Sequence, residues 1–141
     1  MINIQDVINS LNTYDELINY DKDNIKLQNY LYHVNELVKL NDGKICLEGL
    51  KTFILLIKTE PRLAKFTSLT LSGSGKLHIE WQQDKNNCIL LRPKNNNFIE
   101  YVIFKPSYLE NKRIIINGYG DLFDVVDLIY DLESTYLFLE N

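Results

Sequence analysis

His78 and Glu80 stand two apart in Lys76-Leu77-His78-Ile79-Glu80-Trp81-Gln82, a run that alternates apolar and polar residues. On a strand, residues i and i+2 share a face, so an imidazole and a carboxylate come side by side. Such a pair can tune a general base. No nucleophile stands in a recognisable frame with them, and the other histidine, His33, lies in a helical stretch. Two histidines are too few for a His-rich metal site. The pair supports a small hydrolase or nuclease as one reading, set against an ordinary solvated strand face.

Asp124, Asp127 and Asp131 recur at i, i+3 and i+7, which lines three carboxylates along one helical stripe. Oxygen ligands suit Mg²⁺ or Ca²⁺, but a straight stripe on one helix does not surround an ion. The stripe is either a solvated helix face or an imitation of a phosphate row. In the second case it would occupy a basic nucleic-acid groove on a partner protein.

Ser72-Gly73-Ser74-Gly75-Lys76 has the composition of a phosphate loop and fails its pattern. Thr70 stands where the first Gly belongs, Leu77 follows the Lys, and a strand follows instead of a helix. A hairpin turn is the better reading. Lys85, Arg92, Lys94, Lys105, Lys112 and Arg113 interleave with Phe98, Tyr101 and Tyr108. Bases among aromatics can hold single-stranded nucleic acid by backbone contact and stacking, although no aromatic-centred RNA-binding signature is present. The nine tyrosines can anchor a protein interface, since each pairs apolar area with a polar tip.

The elements that position these groups follow from periodicity. Apolar residues Ile4, Val7, Ile8, Leu11, Tyr14, Leu17 and Ile18 predict a helix over 4–20, capped by Asn3. A second helix spans 25–40 with Ile25, Tyr30, Leu31, Val34, Leu37 and Val38 on its stripe, stopped by Asn41-Asp42-Gly43. A third spans 45–58; Phe53 to Ile57 is apolar throughout and marks the central buried helix. Pro61 ends it. The period then falls to 2. Strands are expected at 68–72, 76–82, 88–92 and 98–104, with a short fifth at 113–116 bounded by Asn117-Gly118. Leu69, Leu71, Leu77, Ile79, Trp81, Ile89 and Leu91 share one face; His78, Glu80 and Gln82 share the other. In the fourth strand Ile99, Tyr101 and Ile103 face the core, and Phe98, Val102 and Phe104 cover something else. Leu122, Val125, Val126, Ile129, Leu132 and Tyr136 stripe a last helix over 120–139. The fold class is α+β: N-terminal helices, an antiparallel four- to five-stranded β-meander, and a C-terminal helix on one sheet face. One domain is expected over 1–141, with a helical part at 1–60 and the meander at 66–117. That fits the usual domain length of about 100–150 residues.

Charge is segregated. Residues 1–43 carry seven acids and three bases, 44–113 six acids and twelve bases, and 114–141 six acids and no base. Either the acidic ends fold back on the basic middle or the asymmetry marks a partner surface. Cys46 and Cys88 form no disulfide framework and no zinc tetrad, so buried thiols are expected. No apolar run reaches the roughly 18–20 residues of a membrane span, and Met1 leads into no basic-then-apolar leader. The expectation is a cytoplasmic protein with no cofactor, metal site or assigned catalytic residue.

Pro61, Gly75-Lys76-Leu77-His78-Ile79-Glu80-Trp81 and Ile99-Glu100-Tyr101 give the stretch 37–101 a resemblance. It resembles a loose group of small uncharacterised bacterial accessory proteins with a G-x-I/L-x-I/L-E-W strand motif. Where that group often has Gly-Trp-Asp-x-Tyr ahead of the helix, this chain has Asn41-Asp42-Gly43-Lys44. The resemblance implies an accessory role without catalytic residues, and some such proteins sit in toxin–antitoxin-like or mobile-element loci. The function expected first is a non-enzymatic protein-binding module that occupies a partner, antitoxin-like or as a phage or mobile-element inhibitor. Asp124, Asp127, Asp131, His78, Glu80 and Tyr101 are its candidate contact residues. Nucleic-acid binding through the basic meander and hydrolysis by His78 and Glu80 are the alternatives. A homodimer through the strand around Phe98 and Phe104 is a further expectation.

Overall fold

The computed structural model describes residues 3–61, 68–84, 87–107 and 112–131; the side chains of Gln83, Asp84, Tyr130 and Asp131 lie outside that description. Helix α1 (Ile4–Asn9) begins where Asn3 accepts a hydrogen bond from the Gln5 amide at 2.9 Å. It stops early. Ser10 Oγ donates to the Val7 carbonyl at 2.6 Å, and Thr13 Oγ1 accepts from the Glu16 amide to cap a new helix, α2 (Tyr14–Ile18). The single helix expected over 4–20 is therefore two short ones, because side-chain hydroxyls satisfy the backbone groups a continuous helix would use. Ile8 and Leu17 still face the core.

Helix α3 (Ile25–Leu40) is capped by Asn24, which accepts from the Leu27 amide. Leu27, Leu31, Val34 and Val38 are its buried stripe. Ile25, expected on that stripe, is 75% exposed. It sits about 200° around the helix from Leu27, at 100° per residue. The helix ends as expected: Gly43 takes φ +78 and donates to the Val38 carbonyl. Helix α4 (Leu47–Thr59) is buried at every residue from Gly49 to Ile57. Thr52 Oγ1, inside that run, donates to the Lys94 carbonyl at 2.5 Å and so ties α4 to the sheet.

Five antiparallel strands follow in sequential order: β1 (Ser68–Leu71), β2 (Leu77–Asp84), β3 (Asn87–Pro93), β4 (Phe98–Pro106) and β5 (Arg113–Asp121). The β1–β2 turn uses Gly75 at φ +88, and its carbonyl accepts from the Cys46 amide at 2.8 Å. The hairpin is thereby bound to the start of α4. Between β3 and β4, Asn96 and Asn97 take left-handed conformations, which Asn tolerates better than most residues.

β5 differs from its expected bounds. It runs through Asn117-Gly118 to Asp121 and pairs with β4 without a shift, from Phe98↔Asp121 to Pro106↔Arg113. Asn117-Gly118 signals a turn locally, but the β4 ladder overrides it. Gly118 serves instead as the site where Tyr101 packs. Helix α5 (Leu122–Asp131) starts directly after β5, with Asp121 Oδ1 accepting from the Phe123 amide. Residues 132–139 of the expected helix, Leu132 and Tyr136 among them, lie outside the described residues.

Leu77, Ile79, Trp81, Ile89, Leu91 and Ile99 form the inner face of the sheet and are at most 1% exposed. They join the buried side chains of all five helices in one core. Cys88 is buried and Cys46 is exposed, so the expectation of two buried thiols holds for Cys88 alone. No described helix is long and apolar enough to cross a membrane.

Candidate functional site

The outer face of the sheet is built from the residues that alternate with the core. The ladders align them in rows across the strands. Ser68, Glu80, Leu90, Val102 and Asn117 form one row, and Gln82, Cys88, Phe104 and Ile115 the next. On the other side, Thr70 pairs with His78, and Arg92 with Glu100 and then Tyr119. The register Ile79↔Leu91 sets Arg92 beside His78. The face is thus polar over β1 and β2 and becomes apolar and aromatic toward β5.

His78 is half-buried in a depression of about 120 Å³ lined by Ser68, Thr70, Glu80 and Arg92. Burial holds its imidazole below the ordinary histidine range, and Arg92 and Lys94 push the same way. That direction favours the neutral ring. Glu100 bonds Lys94 at 3.1 Å and lies 3.8 Å from Arg92. The Lys94 hydrogen bond, assisted by both cations, holds Glu100 below its ordinary range. Glu100 offsets one of these two cations and Glu80 adds a second carboxylate to the same face, so the middle of the face is no strongly basic track. Cys88 is pushed up to about 11, chiefly by burial, and is a poor nucleophile. No cluster of three His, Cys, Asp or Glu among the described residues could hold a metal.

Beside Glu100 the face opens into a concavity of about 250 Å³ lined by Lys94, Asn95, Phe98, Glu100 and Tyr119. Phe98 and Tyr119 meet edge to face with centroids 6.1 Å apart. Tyr119 is 75% exposed. The Arg113 guanidinium stacks over Phe104, 4.3 Å from the ring centroid.

The predicted contact residues fall into separate places. His78 and Glu80 share the outer face. Tyr101 lies on the inner side with Ile99 and Ile103, half-buried against the core, and its hydroxyl covers Gly118. It is thereby separated from them. Asp124 and Asp127 are exposed on α5, opposite its buried Leu122, Val125, Val126 and Ile129. Because α5 packs on the inner side, the acidic stripe and the His78 face do not form one surface. Asp131 closes α5, with its side chain outside the described residues. Of the aromatics interleaved with bases, Phe98 is exposed, Tyr101 is packed inward, and Tyr108 lies outside the described residues. His33 is exposed on α3, its Nε2 3.3 Å from the Leu69 carbonyl.

No family model, curated protein or solved structure matches the chain.

Sequence reasoning missed Tyr119, Ile114 and Ile115. Their signal was present, since the apolar run Ile114-Ile115-Ile116 continues into the alternation Asn117, Tyr119, Asp121. The Asn-Gly turn signature masked it.

Proposed function

We propose that this protein is a non-enzymatic binding module that acts by occupying a partner protein, in the manner of an antitoxin or a mobile-element inhibitor. One observation carries the reading. Nine large apolar side chains are exposed among the described residues. Three of them (Phe98, Ile115 and Tyr119) share the outer face along β4 and β5, where Phe98 and Tyr119 are in contact. Exposed aromatics beside a charged rim, here Lys94 and Glu100, have the anatomy of an interface rather than of a scattered surface. The raised Cys88 thiol weighs against a cysteine nucleophile. The carboxylates of Glu100 and Glu80 beside Arg92 and Lys94 weigh against a nucleic-acid track. The strand motif Gly75 to Trp81, with its likeness to accessory bacterial proteins, points the same way.

The test is capture of a partner from the native lysate by the tagged chain, with and without nuclease. A stoichiometric protein that survives nuclease is expected. Phe98→Ala should lose it and Ile25→Ala should keep it, since Ile25 is an exposed apolar residue on α3. Recovery of nucleic acid alone, or equal capture by both variants, overturns the reading.

A further inference from the structure

The two edges of the sheet are unlike. β1 has four residues, and β5 has nine. Proteins protect a long edge with lysine, proline, a bulge or a cover. β5 contains no lysine and no proline, and its ladder with β4 runs without a bulge. Ile114, Ile115 and Tyr119 along it are 40%, 52% and 75% exposed. Among the described residues, β5 pairs with β4 alone.

The order of residues in Arg113-Ile114-Ile115-Ile116-Asn117-Gly118-Tyr119-Gly120-Asp121 is complementary to its own reverse. Laid antiparallel about a twofold axis through Asn117, the outer face sets Arg113 against Asp121, Ile115 against Tyr119, and Asn117 against itself. The inner face sets Ile114 against Gly120 and Ile116 against Gly118. The outer-face pairs match: opposite charges, aliphatic with aromatic, and amide with amide. A slide of two residues destroys the match, placing Asp121 against Ile115 in one direction and Arg113 against Tyr119 in the other. We propose that β5 is a self-recognition strand. It pairs with β5 of a second copy in this register, joining two five-stranded sheets into one across an isologous interface. A foreign strand would have no reason to find this palindromic pattern.

Sedimentation of the full chain from about 1 μM to about 1 mM tests it, with dimer expected within that range. Ile115→Lys and Tyr119→Glu each alter an exposed side chain and should each raise the dissociation constant roughly tenfold or more. Combined in one chain, they oppose lysine to glutamate across the axis and should recover affinity over either alone. Asn117→Cys, in a Cys46→Ser background, tests the register. Antiparallel partners hold their Cα atoms about 4.5–5.5 Å apart, within disulfide reach, so mild oxidant should yield a covalent dimer on a denaturing gel. Tyr119→Cys in the same background meets Ile115 of the second copy and should yield none. A chain monomeric up to about 1 mM, or a dimer unmoved by Ile115→Lys and uncrosslinked through Asn117→Cys, overturns the proposal.

Discussion

The Tyr101 hydroxyl occupies the place a side chain would take at Gly118: a Cβ there would lie 2.9 Å from its oxygen and 3.2 Å from Cζ. The two residues are register partners across β4 and β5. Gly118→Ala must therefore move a tyrosine ring packed against the core. A loss of about 1–3 kcal/mol is expected, the usual cost of overpacking. In a Tyr101→Leu background the added methyl should cost much less, because the ring is gone. Chemical denaturation of the double-mutant cycle measures the difference, and additive losses would show that the two residues do not compete for this space.

Gly75 makes a sharper demand than its neighbour Gly73. At φ +88 a Cβ on Gly75 would stand 2.9 Å from the Ile45 Cα, which is backbone and cannot swing away. Gly73 has nothing within 4 Å. Gly75→Ala is expected to cost about 2 kcal/mol or more, combining a strained backbone with a collision. Gly73→Ala should stay within about 0.5 kcal/mol of wild type. Thermal denaturation of the two variants side by side checks the contrast.

His78 makes stability depend on pH. Its folded pKa lies below the ordinary 6.5, so the unfolded chain binds a proton more readily as the pH falls below that value. Its contribution is fully present above about pH 6.5 and is lost as the pH drops toward the folded pKa. His78→Gln should flatten this part of the curve of melting temperature against pH between about 7 and 5. An unchanged slope in the variant would assign the dependence to other groups. Glu100, also lowered, contributes above its ordinary 4.5 and loses that contribution at more acid pH.

The acidic face of α5 is accessible, as Asp124 and Asp127 are both exposed. Charge reversal to lysine at Asp124, Asp127 and Asp131 should leave the circular dichroism unchanged. If the captured partner presents a basic groove, its affinity should fall about tenfold or more and its salt dependence should weaken. Calorimetric titration at two salt concentrations measures both. Unchanged affinity would remove this face from the interface and leave the β4–β5 corner to bear it.

The elements were legible where local signals agreed. Asn3 caps a helix, the unbroken apolar run from Phe53 to Ile57 becomes the most buried segment, and the alternation from Leu77 to Trp81 sorts core from surface. Two local signals misled. The stripe through Leu11 and Tyr14 is continuous, but Ser10 and Thr13 take the backbone bonds that would carry the helix through. Asn117-Gly118 resembles a turn, yet nine pairs with β4 hold it extended. The candidate site was legible only in part. His78 and Glu80 were placed on one face by period alone. The Phe98–Tyr119 contact and the Arg92–Glu100–Lys94 cluster needed strand register, which depends on contacts between segments rather than within one.

The sequence by itself thus determined the α+β class, the order of elements and the composition of the two sheet faces, because periodicity and capping act over a few neighbouring residues. Only the tertiary structure decided how far β5 runs, that Gly118 is the residue Tyr101 covers, and that the acidic stripe of α5 lies on the opposite side of the sheet from His78. Those outcomes depend on which strand lies beside which and on which face each helix covers.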